Sequence, residues 1–529
     1  MATTAKPSAG KSKGTKQPNI LVIFGDDIGM WNVGAYTHGM MGRTPNIDSL
    51  ARDGMLFTDH YGQPSCTAGR AAFLMGQLPV RTGMTTIGIP GSTRGIQKQD
   101  PTLAEVLREQ GYATGQFGKN HLGDRNEFLP TMHGFDEWFG NLYHLNAEEE
   151  PEELDYPGQK NPEYARKFGP RGVLHSWTSD KDDATDDPKF GKVGKQKIEN
   201  TGPLTRERME TFDGEVLEHT LDWLDRTAKG DKPFFCWFNT TAIHIWSHPP
   251  KKYIQKAVDE GRSETDLVRA KMIEHDEQIG VLLDKLKKLG VDDNTIVVYT
   301  TDNGNELLFW PDGGYAPFRG EKGTTWEGGL RVPCLVKWPG VIEAGSSSNG
   351  IQSHEDLFAT LAAAGGAKDL KESLKKGHTL NGTKYKVHLD GYDQTAMWSG
   401  KGASARREIF YYDETDLMAM RIDGWKMHIG VKPKGLWFDE KYYPAIPYIM
   451  NLLMDPMEKM DPHSEEWGYV GRKFFAQKMW APTAAGPFIA AHIKSLMDFP
   501  PSQGADSLSM KKNLEAAHEK MMNPQGGNN

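Results

Sequence analysis

Two pairs of oxygen-bearing side chains each follow a strongly apolar run of the chain. Asp26 and Asp27 follow one such run, and Asp302 and Asn303 follow another. Carboxylate and amide oxygens suit a hard divalent cation such as calcium or magnesium. Asp and Asn are also among the commonest residues in turns, so any one of these four, taken alone, indicates a turn. Adjacent acids after one strand and a second pair after another favour a metal site.

The three cysteines differ in their surroundings. An odd number at wide spacing is a poor disulfide framework. Cys236 and Cys334 lie in apolar stretches, where a free cysteine packs as a small hydrophobic residue. Cys66 stands instead among small and polar residues and precedes a Gly-Arg-Ala-Ala stretch that is typical of a helix start. Cys66 is therefore the cysteine with a predicted chemical role.

Strands alternate with helices over the first three hundred residues or so. The predicted strands lie at 19–24, 55–61, 113–117, 234–239 and 295–300. The predicted helices lie at 44–54, 102–110, 205–229 and 264–289. This alternation predicts an α/β fold with a large, mostly parallel sheet flanked by helices. Right-handed crossovers bring the carboxyl ends of such strands to one edge, where the four oxygen ligands would converge.

The remaining segments complete the predicted domain plan. Residues 1–18 are small, polar and basic, which predicts a disordered tail. Residues 19–400 form the predicted catalytic domain, and 145–205, rich in charge, Pro and Gly, is a predicted long loop insertion. Short strands after residue 401 predict a smaller C-terminal subdomain, 401–529, with an antiparallel sheet and a terminal helix. Aromatic residues at 435–450 either wall a substrate pocket or pack an interface, and we favour packing.

Four segments, in order, resemble the signatures of the sulfatase family. Residues 66–70 match its pattern of Cys or Ser, any residue, Pro or Ala, any residue, Arg; the others lie at 111–121, 319–333 and 452–462. The resemblance covers roughly residues 19–465 and implies the alkaline phosphatase-like fold. The sequence departs from the family at Ala68, where proline is commoner, at Phe117, and before His244, where a proline is missing.

The resemblance implies a sulfuric ester hydrolase that acts on sulfate monoesters, with aryl sulfates as the expected substrates. In the family this cysteine is oxidised to formylglycine (3-oxoalanine), whose metal-bound hydrate attacks sulfur and forms a sulfated enzyme intermediate. One divalent metal ion is implied: calcium is expected, although magnesium or manganese also suit oxygen ligands. A formylglycine-generating or equivalent maturation enzyme is then an implied partner. By resemblance, the metal ligands are modified Cys66, Asp26, Asp27, Asp302 and Asn303.

Five further residues are implied to act with Cys66 in catalysis. Arg70 lies one helical turn after the cysteine and can reach back to it. Lys119 would hold the same group or the sulfate, and His121 would take a proton during sulfate release. His244 and Lys322 would contact the sulfate, and one of them would protonate the leaving group.

Two other functions remain open on this fold. One is a phosphodiester or phosphonate monoester hydrolase of the alkaline phosphatase superfamily, and the other is a non-catalytic sulfate- or glycan-binding protein. The presence of all five of these cationic or proton-carrying residues favours a small-molecule sulfate ester as the substrate. The formal net charge of −9 argues against a nucleic-acid partner.

No apolar run is long enough for a membrane span. No signal peptide is visible, so a cytoplasmic location is expected, with a periplasmic or secreted one left open. The C-terminal helix is a candidate contact in a homo-oligomer.

Overall fold

The computed structural model describes residues 17–307, 313–461 and 468–522. Residues 1–16 of the predicted tail lie outside the described residues, as do 523–529 at the end of the predicted terminal helix. Within the described ranges, no helix is both long and apolar enough to cross a membrane.

The strands of the described residues are numbered in chain order. They are β1 (Asn19–Gly25), β2 (Met55–Phe57), β3 (His60–Tyr61), β4 (Ala113–Gly118), β5 (Glu137–Gly140), β6 (Leu174–Asp187), β7 (Gly191–Asn200), β8 (Phe234–Asn239), β9 (Thr295–Thr301), β10 (Cys334–Lys337), β11 (Ser346–Ser348), β12 (Gln352–Ser353), β13 (His378–Leu380), β14 (Thr383–Tyr385), β15 (Glu408–Asp413), β16 (Asp416–Ile422), β17 (Trp425–His428) and β18 (Tyr448–Asn451).

The α-helices are numbered in the same way. They are α1 (Gly34–Thr37), α2 (Pro45–Arg52), α3 (Cys66–Met75), α4 (Pro79–Thr82), α5 (Leu103–Glu109), α6 (Leu145–Glu149), α7 (Pro162–Phe168), α8 (Arg206–Thr227), α9 (Lys251–Asp259), α10 (Leu267–Lys288), α11 (Glu327–Leu330), α12 (His354–Ala364), α13 (Leu370–Lys376), α14 (Thr395–Trp398), α15 (Gly468–Ala476), α16 (Trp480–Asp498) and α17 (Met510–Met522).

The main sheet has ten strands in the order β11-β2-β10-β9-β1-β8-β4-β5-β6-β7. The run β9-β1-β8-β4-β5 at its centre is entirely parallel. Antiparallel pairing of β10 with β2 and β9, and of β6 with β5 and β7, makes the whole sheet mixed. The predicted α/β class, with a large helix-flanked sheet, is confirmed.

Helices cover both faces of this sheet, so its central strands are buried on both sides. Along β1, Ile20 and Val22 belong to one apolar core, whereas Leu21 and Ile23 belong to the other. This alternation follows from the two-residue period of a strand. The continuous apolar runs in the sequence are the consequence of burial on both faces.

The predicted long loop at 145–205 is wrong, because most of this segment is regular structure. It contains α6, α7 and the hairpin β6–β7, and β6 pairs with β5 at one side of the main sheet. The outer part of the hairpin is exposed on both faces, and its register shifts between Thr178 and Asp186. An exposed hairpin does not need alternating apolar residues, so its charged sequence carried no strand signal.

The predicted C-terminal sheet is confirmed as four antiparallel strands in the order β15-β16-β17-β18. Glu327, at the start of α11, joins this sheet to the main body. Its carboxylate accepts hydrogen bonds from Tyr61 and Tyr411, each at 2.7 Å, and from Lys426 at 3.0 Å. The segment that carries Lys322 is therefore held by both parts of the molecule.

Candidate active site

The carboxyl ends of four neighbouring parallel strands form the floor of the candidate site. Asp26 follows β1, Asp302 follows β9, Lys119 follows β4, and Asn239 ends β8. The registers align these ends, since Phe24 lies opposite both Asn239 and Thr300. The convergence expected from the parallel sheet is therefore observed, and ligands of open α/β sheets bind at such an edge.

The acidic cluster consists of Asp26, Asp27 and Asp302, which are all fully buried. Ligand atoms of the three carboxylates lie within 4.8 Å of one another. Asn303 donates a 2.7 Å hydrogen bond to Oδ1 of Asp27. Within the described residues, Oδ1 of Asp26 and Oδ1 of Asn303 are buried and accept no hydrogen bond. A cluster of three carboxylates, with unpartnered oxygens on Asp26 and on the adjoining Asn303, fits a hard divalent cation.

Cys66 is the first residue of α3 and lies beside this cluster. Its Sγ is 4.0 Å from Oδ1 of Asp27. Burial raises the pKa of the thiol, while the ammonium groups of Lys119 and Lys322 oppose the rise. The thiol therefore stays protonated at neutral pH, and the surroundings do not suit thiolate chemistry.

Gly69 explains how α3 can approach the strand ends so closely. A Cβ atom at this position would lie 1.9 Å from the carbonyl oxygen of Asp302, which is far inside contact distance. In this chain the absence of a side chain at position 69 lets the first turn of the helix lie this close to the end of β9.

Arg70 links the helix to the same strand ends from a fully buried position. Its Nη2 is 2.9 Å from Oδ2 of Asp302. Its Nη1 donates to Oδ1 of Asn239 at 3.1 Å and to the carbonyl oxygen of Lys119 at 3.2 Å. Asn239 was not predicted as a site residue, although its place at the end of a buried strand is the signal that identified Asn303.

Two buried lysines face the acidic cluster. Nζ of Lys119 is 2.5 Å from Oδ2 of Asp26, and Nζ of Lys322 is 2.8 Å from Oδ2 of Asp27. Lys322 also donates to Glu306 at 3.3 Å. Burial is the largest single influence and opposes the charge of Lys322, but the combined attraction of Asp27, Glu306 and the other acidic groups nearby outweighs it and raises the pKa of Lys322. Glu306, whose pKa burial raises to about 8, was not predicted.

The predicted histidines lie on the β4 and β8 side of the site. Nε2 of His121 is 2.9 Å from the carbonyl oxygen of Gly88, so Nε2 carries the proton and Nδ1 has the lone pair. Nε2 of His244 is 3.8 Å from Oδ2 of Asp27, and its Nδ1 contacts the carbonyl oxygen of Ile245. Burial lowers the pKa of both histidines, with help from the nearby lysines, so both are neutral.

A third histidine, His144, lies between these two rings. Its ring centroid is 5.7 Å from that of His121 and 6.1 Å from that of His244, with which it is stacked. His144 belongs to no sequence motif that we identified, but it lies four residues beyond the end of β5 and so at the same edge of the sheet.

The aromatic segment 435–450 both packs against the site and lines a cavity. The ring centroid of Trp437 is 5.2 Å from Nζ of Lys322, and the ring is stacked on Phe438. These two residues, with Ser65 and Gly323, border a cavity of about 270 Å³. Ser65 precedes Cys66 and Gly323 follows Lys322, so the cavity borders the two segments that carry these residues.

The fold and this arrangement define an ester hydrolase for anionic substrates with an alkaline phosphatase-like fold. A model of the family described as Sulfatase matches residues 18–367, and the chain belongs to the sulfatase family. It is 32% identical over 431 residues to N-acetylgalactosamine-6-sulfatase of Homo sapiens, covering 79% of this chain and 73% of that protein. It is 32% identical over 423 residues to arylsulfatase A of Homo sapiens, covering 78% and 75%.

Among solved structures, the sulfatase PsFucS1 from Pseudoalteromonas sp. superposes with a TM-score of 0.76 at 30% identity, covering 92% of each chain. The protein is therefore a sulfuric ester hydrolase, and the family assignment made from the four sequence segments is confirmed.

Proposed function

We propose that Cys66 is converted to formylglycine and that the mature enzyme hydrolyses sulfate monoesters of sugars. The observation that carries the proposal is the position of Cys66, at the start of α3 and 4.0 Å from an aspartate of the buried acidic cluster. Formylglycine supplies a hydrated aldehyde, which divides hydrolysis into an attack on sulfur and a separate release of sulfate.

The oxygen cluster would hold the divalent cation through Asp26, Asp27, Asp302 and Asn303. A cation there supplies positive charge to the sulfate oxygens, where negative charge grows during the reaction. Calcium is the proposed ion, because the donors are oxygens and a cluster of carboxylates and amides meets its preference.

The other site residues position the substrate or transfer protons. Arg70 and Lys119 orient the residue at position 66 and its substrate through the buried contacts described above. His121 can accept a proton at Nδ1, because its Nε2 proton is held by Gly88. Lys322 is protonated at neutral pH and is the proposed donor to the leaving oxygen, with His244 as the second contact to the sulfate.

The cavity beside Trp437 supports a sugar as the esterified group. Its wall joins the aromatic faces of Trp437 and Phe438 to charged groups, among them Asp413, Lys432 and Lys441. Aromatic faces suit the apolar face of a sugar ring, and charged groups suit its hydroxyls. One relative is named N-acetylgalactosamine-6-sulfatase. Aryl sulfates, the sequence-based expectation, then serve as small surrogates that reach the reacting centre without filling the cavity.

Two measurements test the proposal. Mass spectrometry of the peptide that contains Cys66 should give a mass about 18 Da below that of the thiol form, whereas ordinary cysteine oxidation adds mass. Active protein with an unmodified thiol would refute the mechanism, and Cys66→Ala is the matched inactive control.

A substrate panel then separates the competing activities. We expect nitrophenyl sulfate and sulfated N-acetylhexosamines to be hydrolysed in preference to nitrophenyl phosphodiesters and phosphonate monoesters. A preference for the phosphorus esters would assign the protein to the rival hydrolase activity. Loss of all turnover in protein shown to contain formylglycine would support the non-catalytic alternative.

A further inference from the structure

His144 caps the helix α6 with one nitrogen of its ring. Its Nδ1 accepts a hydrogen bond of 3.1 Å from the backbone N–H of Ala147. A ring nitrogen that accepts has no proton, so in the neutral ring the proton is on Nε2. The cap therefore fixes the tautomer and makes Nε2–H a hydrogen-bond donor.

This donor is buried and has no acceptor among the residues that the structure describes. His144 is only 7% exposed, and its Nε2 forms no hydrogen bond. A buried donor without a partner costs about 1–3 kcal/mol, so such groups are rare unless a ligand completes them. The orphan atom therefore points to a bound group that accepts a hydrogen bond.

The surroundings of His144 identify the acceptor as anionic. Its ring lies between those of His121 and His244, which both line the reacting centre. Burial, together with the nearby charges of Lys119 and Lys322, lowers the pKa of His144 to about 3. The ring is therefore neutral at working pH and cannot donate a proton outright, but it can hold a hydrogen bond to an oxygen.

We propose that His144 is a further substrate-binding residue, whose Nε2–H donates to an oxygen of the substrate's sulfate group. This inference rests on the proposed function. It adds a neutral donor beside the two histidines that the sequence predicts. The fixed tautomer means that no reorganisation is needed when the sulfate arrives, which is the condition for effective electrostatic stabilisation.

Two variants separate this role from the helix cap. His144→Asn keeps a side-chain oxygen at the cap, where Asn is favoured, but has no donor at the position of Nε2. His144→Gln is long enough to place an amide N–H near the position of Nε2, but it gives up the cap. Each variant is purified, its formylglycine content is measured by peptide mass, and its melting temperature is recorded.

The readouts are kcat/KM for nitrophenyl sulfate and the inhibition constant for inorganic sulfate. We expect H144N to melt as the unsubstituted protein does, to lose about 10- to 100-fold in kcat/KM, and to bind inorganic sulfate more weakly. We expect H144Q to melt lower but to retain more activity than H144N. If H144N does not fold, retained activity and sulfate inhibition in H144Q support the proposal.

Three results would overturn it. The first is an H144N variant within about threefold of the unsubstituted protein in both readouts. The second is an H144Q variant that is more damaged in activity than H144N, which would show that activity follows the cap. The third, if H144N does not fold, is loss of activity and sulfate inhibition in H144Q. If the unsubstituted protein binds inorganic sulfate but hydrolyses no sulfate ester, the proposed function fails instead.

Discussion

Arg70 offers a test in which the size of the effect can be worked from individual contacts. Its guanidinium pairs with Asp302 and also donates from Nη1 to Asn239 and to the carbonyl oxygen of Lys119. In Arg70→Lys the ammonium can keep the pairing with Asp302, but it cannot reach the other two acceptors at once. Each buried acceptor left without a donor costs about 1–3 kcal/mol, so we expect a loss of about 2–6 kcal/mol in unfolding free energy.

The exposed Arg407 provides the matched control for the same substitution. It makes a two-point contact with Asp423 at 3.1 and 2.6 Å, but both side chains are more than half exposed. Exposed ion pairs contribute little to stability, so Arg407→Lys should leave the unfolding free energy close to that of the unsubstituted protein. Both variants are measured by equilibrium urea unfolding. An R70K variant that loses no more stability than R407K would refute this account of how α3 is fixed.

Three further predictions follow from the site. In Gly69→Ala, the added Cβ would meet the carbonyl oxygen of Asp302 at 1.9 Å and push the start of α3 away. We expect kcat/KM for nitrophenyl sulfate to fall about 100-fold. A normal rate at equal formylglycine content would contradict the close approach. Removal of metal by a chelator should lower the melting temperature, because the acidic cluster loses the positive charge that balances it. Added calcium should restore the melting temperature. A melting temperature that responds to neither treatment would argue against the metal site. Burial raises the pKa of Glu306 from 4.5 to about 8, so the folded protein keeps a proton that the unfolded chain releases, and stability should fall as pH rises through that window. Glu306→Gln should remove this fall in chelated protein, as urea midpoints between about pH 4 and about pH 9 would show, and parallel slopes in the two proteins would contradict it.

The central strands and the residues at their carboxyl ends were predictable, because burial of a strand on both faces leaves a clear apolar pattern in the sequence. β1 and β9 are continuous apolar runs, and the polar residues that end them are therefore conspicuous. The hairpin β6–β7 was missed for the opposite reason, because its exposed end needs no apolar residues. Strand prediction from periodicity works only where the strand packs against a core.

The residues that sequence reasoning missed are single side chains whose position depends on tertiary structure. Glu306 lies in the loop after β9, and its burial beside Lys322 could not be read from the residues next to it in the sequence. His144 precedes a helix, where a polar residue is expected as a cap. Nothing in the sequence therefore indicated that its other ring nitrogen, Nε2, has a separate role. The sequence shows which residue types are present, but only packing decides which of their atoms are left without partners.

Ala68, the departure from the commoner family pattern, is explained by its place in α3. The helix begins at Cys66, so Ala68 is its third residue and lies within the first turn. The first backbone N–H groups of a helix have no acceptor within it, and proline, which lacks an N–H, is tolerated there. Alanine and proline can thus occupy this position without a change in the hydrogen bonding of the helix. In this chain Gly69 packs against the carbonyl oxygen of Asp302, and Arg70 binds the carboxylate of the same residue.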